Sequence, residues 1–413
     1  MKKIMMLGAG GGQIPFIETC KKLKAYVIVI SPMGDYAGIK LADKIYDCDV
    51  KDKEKVLEIA KKEKITAIVT DQTDISVTTV AWVAEQLGLK GIGYDRAIKF
   101  TDKYEMRLEA ERIGVPVPKF AKARDISEAK KCVKRMELPV IIKPTNCYGS
   151  KGVYRINDVE ELEKYFELSQ RYSHTDTVII EEFIEGIEFL ADGFAMNNKY
   201  INLDVGIKEH FHKQDIYVSK MCMFSSPELI EESTVEKRIL DTNKRLVEGM
   251  GLPFGITHAE YIYSPKEDKV FLVEIAARGG GVYLSSHLTP RASGINTNEL
   301  LIDYLLNDTI IDVDDFRLSR RVSAWRCFEL QEGTIVSIEN IDALHKIPGV
   351  DDVYLDNLCV GKQVGGLQDD STKHGPILIS GNSREDCYET LKQIENTLKI
   401  VTVNDGVLSG ISW

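Results

Sequence analysis

Apolar and polar positions follow two different rhythms along this chain. From residue 2 to about 90, short apolar runs at Lys3–Leu7, Tyr26–Ser31, Ile45–Asp49 and Ala67–Thr70 predict strands. Between them, Ile14–Lys24, Lys53–Lys64 and Ser76–Leu87 have helical spacing, and Gly88 closes the last. Such a βαβ series predicts a small parallel sheet with helices on both faces. A helix over Lys103–Ile113 stops at Gly114 and the run Val115-Pro116-Val117-Pro118, and Asp102 stands where it caps that helix.

After this stop the rhythm changes to α+β. Helices are predicted at Ser127–Met136 and Val159–Leu168, and strands at Val140–Lys143, Val153–Ile156 and Thr177–Phe183. Longer strands follow, with helices at Thr234–Gly249 and near Asn296–Leu306. A third segment begins at Val322–Glu329 and contains the helix Arg384–Leu398. No internal repeat is evident.

Composition narrows the class. The 413 residues, 44% hydrophobic and 28% charged, suit a soluble globular protein of two to four domains. A net charge of −11 argues against a nucleic-acid partner, while leaving room for a phosphate ligand in a local basic cleft. Eight scattered cysteines without a CxxC pair argue against a zinc ribbon or disulfide scaffold, and fit a reducing cytoplasm. The start MKKIMMLGAGGG breaks at glycine too early for a leader peptide, and no apolar stretch approaches a membrane span.

Several motifs carry candidate chemistry. The turn Gly8-Ala9-Gly10-Gly11-Gly12-Gln13 starts like a dinucleotide fingerprint, but Gln13 occupies the third glycine position, so a dehydrogenase reading rests on little. Lys143 closes the buried-type strand in LPVIIKP, a place where an ammonium needs an anion. The loop that follows holds Gly149, Ser150 and Gly152, whose N–H groups suit phosphate oxygens although no Walker A pattern is present. In VIIEEFIEGIE a strand runs into Glu181, Glu182, Phe183 and Ile184, a backbone edge and acid that suit a nucleobase, with Glu188 placed for a ribose hydroxyl. His210 and His212 share one strand face but lack an obvious third metal ligand.

The richest stretch is Gly255–Gly281. Ile256–Tyr263 and Lys269–Ile275 predict a hairpin about the turn Ser264–Asp268, with facing residues whose numbers sum to about 532–534. Glu260 then lies opposite Glu274 or one diagonal step away, on the face shared with His258 and Ala276. Two such carboxylates call for a cation or a shared proton, unless they lie on a solvated sheet face. Arg278-Gly279-Gly280-Gly281 follows at once, adding a cation and bare N–H groups.

The order of these pieces resembles the ATP-grasp superfamily: Asp102-Lys103 with GVPVP, PVIIKP with its glycine loop, IIEEFIEG, then HAE…VEIAARGGG. The likeness runs over about residues 1–315. It implies a Rossmann-like domain at 1–95 and an ATP-grasp domain at 96–318 whose lid covers about 118–185. It places Lys103 and Lys143 on ATP phosphates and Gly149 to Gly152 in a mobile phosphate-covering loop. Glu181, Glu182, Phe183 and the backbone near Ile184 would read adenine, and Glu188 the ribose. Glu260 and Glu274 would hold Mg²⁺ or Mn²⁺. Arg278 would face a substrate carboxylate or acyl phosphate, and with the Gly279–Gly281 N–H groups, Gly280 among them, would stabilise an oxyanion. His258 would be a substrate contact or base, a buried structural role being the plain alternative. Many relatives have Glu-x-Asn-x-Arg where this chain has Glu274-Ile275-Ala276-Ala277-Arg278, and Ala276 cannot coordinate a cation.

That variant resembles the L-amino-acid ligase branch, as does the segment from Ala324-Trp325-Arg326-Cys327-Phe328 through GTIVSIENIDALHKIPGVDDV, which implies an extra C-terminal α+β domain at 319–413. The implied activity is an ATP-dependent carboxylate–amine ligase working through an acyl phosphate on small-molecule substrates, in the cytoplasm, with a homodimer the assembly that many relatives imply. The alternatives are a phosphoribosylamine–glycine ligase, a carbamoyl-phosphate-synthase-like enzyme, and a non-catalytic ATP-binding protein, the last favoured by Ala276.

Overall fold

The computed structural model describes residues 2–147, 151–211, 218–368 and 372–413. Gly149, Ser150 and His212 lie outside these described residues. In the N-terminal region β1 (Lys3–Leu7), β2 (Tyr26–Ser31), β3 (Lys44–Asp47) and β4 (Ala67–Val69) form an all-parallel sheet in the order β3-β2-β1-β4. Buried side chains fill both faces, Ile4 and Met6 on one and Met5 and Leu7 on the other, as alternation along a doubly covered strand requires. The helix Lys103–Ile113 is capped as expected: Asp102 accepts from the N–H groups of Tyr104 and Glu105, and Gly114 ends it with φ 83°.

The lid region is a separate antiparallel sheet, β5 (Phe120–Ala123), β6 (Val140–Pro144), β7 (Tyr154–Ile156) and β8 (Val178–Glu182), in the order β5-β8-β6-β7. Helices Ile126–Val133 and Leu162–Gln170 pack on it through Ala129, Val133, Leu162 and Phe166.

The central sheet uses β9 (Ile187–Met196), β10 (Lys199–His210), β11 (Ser219–Ser225), β12 (Phe254–Ser264) and β13 (Lys269–Ala276). It does not stop at the boundary expected near residue 318. β14 (Val322–Leu330) pairs antiparallel with β11, Met221 facing Arg326 and Ser225 facing Val322. The short β15 (Gly333–Glu339) leaves for a small sheet, while β16 (Val350–Val353), β17 (Gln363–Val364) and β18 (His374–Gly381) follow; the main sheet continues as β13-β12-β9-β10-β11-β14-β18-β16. Every residue of β14 is buried, so this strand needs partners on both edges and cover on both faces.

The hairpin of β12 and β13 has the expected register, with Glu260 opposite Glu274 and His258 opposite Ala276. A bulge just beyond Glu260 shifts the remaining pairs by one, so that Tyr261 faces Leu272. Among the described residues no helix is long and apolar enough to cross a membrane, and no two cysteines are joined.

Candidate active site

The facing carboxylates each hold a lysine. Lys103, at the start of its helix, places Nζ 2.9 Å from Glu274 Oε1 and donates to the Cys147 carbonyl at 2.8 Å. Burial disfavours the Lys103 charge, yet Glu274 outweighs it and raises the pKa. Across the pair, Lys208 of β10 lies 3.3 Å from both Glu260 and Glu188. Burial opposes ionisation of Glu260, but Lys208 and then His258 hold its carboxyl well below the usual range. His210 extends the cluster, its Nε2 3.7 Å from Glu188.

Behind this pair runs a buried ionic link to the lid. Glu181 of β8 accepts from Arg107 Nε at 2.6 Å and from Lys143 Nζ at 2.5 Å. Arg107 also donates to the Val273 carbonyl of β13 at 2.6 Å, so one guanidinium joins the lid to the central sheet. Burial pushes the Glu181 carboxyl up, but Arg107 and Lys143 bring it to about 2. Lys143 moves down, because burial and the neighbouring Arg107 and Lys103 outweigh its share of one carboxylate.

Both oxygens of the Glu181 side chain, expected near adenine, are paired here with the internal cations Arg107 and Lys143. Glu182 is turned to Lys119 at 3.0 Å. The Phe183 N–H is used by the Pro139 carbonyl, and its ring lies under Arg155, 4.3 Å from the guanidinium carbon. Ile184 lies in the irregular turn joining β8 to β9.

His258 lies between two carboxylates. Its Nδ1 is 2.9 Å from Asp192 Oδ1 and its Nε2 is 3.7 Å from Glu260 Oε1. A ring with a carboxylate at each nitrogen is satisfied as imidazolium, which has no lone pair to offer. Burial opposes that charge, but Asp192 raises the pKa to about 9. Asp192 in turn faces Asp204 across β9 and β10, its N–H donating to Asp204 Oδ1 at 3.2 Å. Burial and the adjacent Asp192 push the Asp204 carboxyl far up.

Arg278 is held within the protein. Its Nε and Nη2 grip Asp74 at 3.0 and 2.5 Å, and Nη1 donates to the Gly279 carbonyl at 2.9 Å. The fork therefore ties the glycine turn to the N-terminal domain and leaves no nitrogen free of a protein partner. The Gly279 N–H is also taken, by Asp71 Oδ1 at 3.0 Å, so it is not an oxyanion donor. These glycines are needed for close approach: a Cβ on Gly280 would sit 2.9 Å from His258 Nδ1, and one on Gly279 2.3 Å from Ser285 Oγ. Gly281 meets nothing within 4 Å. Gly152 has φ 73° beside Pro144 and Tyr172.

Asp71 gives a pH prediction. Burial raises its carboxyl from 3.8 to about 6, against the Gly279 N–H and Arg278. The folded state thus holds a proton that the unfolded chain releases near pH 4. Stability should fall as pH rises from about 4 to 6, by at most about 3 kcal/mol. Urea unfolding of Asp71→Asn across this range should lose that part of the slope; a slope equal to wild type would rule the assignment out.

The structure therefore brings Lys103, Glu188, Glu260, Glu274 and His258 into one cluster, joins Lys143 to Glu181 beside it, and sets Arg278 and Gly280 at its edge. Sequence reasoning missed Arg107, Asp71, Asp74, Asp192, Asp204 and Lys208. Signals existed: lone aspartates inside the apolar strands FLADGF and INLDVG, acids just past the carboxyl end of β4, and Arg107 four residues after Lys103 on one helix face.

The donor set suits a hard divalent cation in kind, since both groups are carboxylates. It is incomplete by itself. No group of three His, Cys, Asp or Glu ligands occurs among the described residues, and Ala276 adds none. Further oxygens, such as those of a polyphosphate, would have to complete the shell.

Comparison with known proteins agrees with this arrangement. The ATP-grasp domain family matches residues 136–286, and L-amino acid ligase C-terminal domain 2 matches residues 326–403. The chain is 25% identical over 386 residues to the carbamoyl phosphate synthase large chain, C-terminal section, of Methanopyrus kandleri, covering 88% of this chain and 68% of that one. It is 25% identical over 315 residues to the alanine–anticapsin ligase of Bacillus subtilis, covering 68% of this chain and 65% of that one. The chain thus spans about two thirds of the length of these curated relatives. Among solved structures, the L-amino acid ligase from Bacillus licheniformis aligns with a TM-score of 0.80 at 20% identity, over 98% of this chain and 99% of that one. Phosphoribosylglycinamide synthetase from Anaerococcus prevotii aligns with a TM-score of 0.74 at 21% identity, over 97% and 100%. Motifs, fold and both domain matches thus agree on an ATP-grasp domain over residues 136–286, followed by an L-amino acid ligase C-terminal domain 2 over residues 326–403.

Proposed function

We propose that this protein is an ATP-dependent carboxylate–amine ligase. The observation that carries the reading is the Glu260–Glu274 pair, set face to face between two lysines and joined through Arg107 to the lid. A carboxylate oxygen of the substrate takes the γ-phosphoryl group of ATP, releasing ADP and forming an acyl phosphate. The amine nitrogen then attacks the carbonyl carbon, the C–O bond to phosphate breaks, and the nitrogen loses its extra proton. Such phosphoryl transfer depends on positioning and charge neutralisation. Glu260 and Glu274 would hold Mg²⁺ or Mn²⁺, which when bound neutralises charge on the phosphoryl oxygens.

The chain's own residues then have defined tasks. Lys103 and Lys143 are cations held ready on Glu274 and Glu181, from which phosphate oxygens can draw them. His258, held by Asp192, sits beside Glu260 at the edge of the pair. Arg278 holds the glycine turn against Asp74. The C-terminal match and the alanine–anticapsin ligase likeness support amino acids as substrates.

The test is hydroxamate formation. ATP, Mg²⁺, hydroxylamine and a panel of amino and other small carboxylic acids should yield hydroxamate and ADP in equal amounts with at least one acid. Silence across the whole panel would overturn the ligase reading.

A further inference from the structure

The glycine turn continues into two residues with left-handed backbone. Val282 has φ 52° and Tyr283 has φ 64°, and neither is glycine. For a β-branched valine this is a strained conformation, which persists only where surrounding structure holds it. A π-helical turn, Leu284–Leu288, follows directly. The turn itself is tight: the Leu284 N–H bonds to the Gly281 carbonyl at 3.1 Å, and Ser285 Oγ to the Gly280 carbonyl at 3.2 Å.

The restraint comes from the C-terminal domain. The Tyr283 ring stacks on Tyr354, with centroids 4.1 Å apart and planes at 17°. His287 sets its edge against Tyr283 at 5.1 Å, and its Nε2 lies 3.5 Å from the Tyr354 hydroxyl. Tyr354 directly follows β16, and its N–H is fixed to the Pro376 carbonyl at 3.0 Å. One turn further on, Arg291 pairs with Asp351 at 3.3 Å and Asp352 at 2.5 Å, the residues that precede Tyr354 on the same strand. The ring stack and the ion pairs thus fasten both ends of the π-turn to one strand.

We infer that Tyr354 is a positioning residue: through its stack on Tyr283, the C-terminal domain holds the strained Val282–Tyr283 turn and so fixes Gly280 beside His258, the neighbour of Glu260. This role rests on the ligase reading for its catalytic consequence but not for its structural one. The C-terminal domain then belongs to the reaction machinery through this clasp.

The experiment compares wild type with Tyr354→Phe and Tyr354→Ala in the full chain. Amide hydrogen exchange of peptides spanning Gly279–Ser285, read by mass spectrometry, should rise by roughly tenfold in Tyr354→Ala, with peptides from the N-terminal sheet unchanged. The kcat for hydroxamate formation should fall by roughly 10–100-fold, with KM for ATP within about twofold. Tyr354→Phe keeps the stack and should rescue both readouts. Should Tyr354→Ala not fold, Tyr354→Leu retains apolar volume without the stack and serves in its place. Unchanged exchange in the turn overturns the proposal. So do raised exchange with wild-type kcat and equal damage in Tyr354→Phe. If wild type makes no hydroxamate, the ligase reading fails while the exchange experiment still reads the clasp.

Discussion

Glu274→Gln is expected to lower amide or hydroxamate formation by roughly 10²–10³-fold, the scale seen when one preorganised electrostatic contact to a developing charge is removed. The substitution keeps shape and removes charge. Glu274 faces Glu260 across the hairpin and is the counter-ion of the buried Lys103. Glutamine still offers Lys103 a carbonyl oxygen, and the Cys147 carbonyl remains at 2.8 Å, so the fold should survive. What is lost is one of the two facing carboxylates of the hairpin. Mn²⁺ binding in the presence of ADP, followed by electron paramagnetic resonance, should weaken in parallel with kcat, while the melting temperature moves by only a few degrees. Turnover near wild type in a variant that binds no Mn²⁺ would show that the pair is a plain structural feature.

The features legible in the sequence share a physical character: each is local or repeats with a fixed period. The βαβ rhythm follows from alternation of short apolar runs, and the ends of the helix Lys103–Ile113 follow from Asp102 and Gly114. The Glu260–Glu274 register follows from turn arithmetic, because a hairpin fixes its partners by counting. What stayed hidden depends on contacts between distant segments. Arg278 is a lone cation in the sequence, and its partner Asp74 lies 204 residues away on another domain. Glu181 stands at a strand end that suits a nucleobase, yet its oxygens are claimed by Arg107, 74 residues earlier. The glycines after Arg278 suggest free N–H groups, but the Gly279 N–H belongs to Asp71, 208 residues away. A change of rhythm near residue 318 suggests a boundary. The pairing of β11 with β14 across it is not legible, because strand pairing leaves no periodic trace.

The Arg107–Glu181–Lys143 network carries the largest expected effect on stability. Arg107 is fully buried, and the Lys143 side chain is 9% exposed. Glu181→Gln leaves two buried cations with no shared countercharge, and breaking a buried pair in this way typically costs about 3–5 kcal/mol. The sign of the pH dependence is fixed by the direction of the Glu181 shift. Its folded carboxyl titrates at about 2 against an ordinary 4.5, so the wild-type contribution is present above about 4.5 and is lost as pH falls toward 2. Urea unfolding should therefore separate wild type from Glu181→Gln by several kcal/mol at pH 7 and by progressively less below pH 4. Arg107→Met added to Glu181→Gln should cost less than the two single changes together, by about 1–3 kcal/mol, because the second change removes a charge that the first left stranded. At alkaline pH the cost of Glu181→Gln should shrink, since burial and the nearby Arg107 already favour neutral Lys143. A loss below about 1 kcal/mol at pH 7, or one that does not vary with pH, would mean that solvent reaches these charges and that the lid is not joined to the central sheet through a dry ionic link.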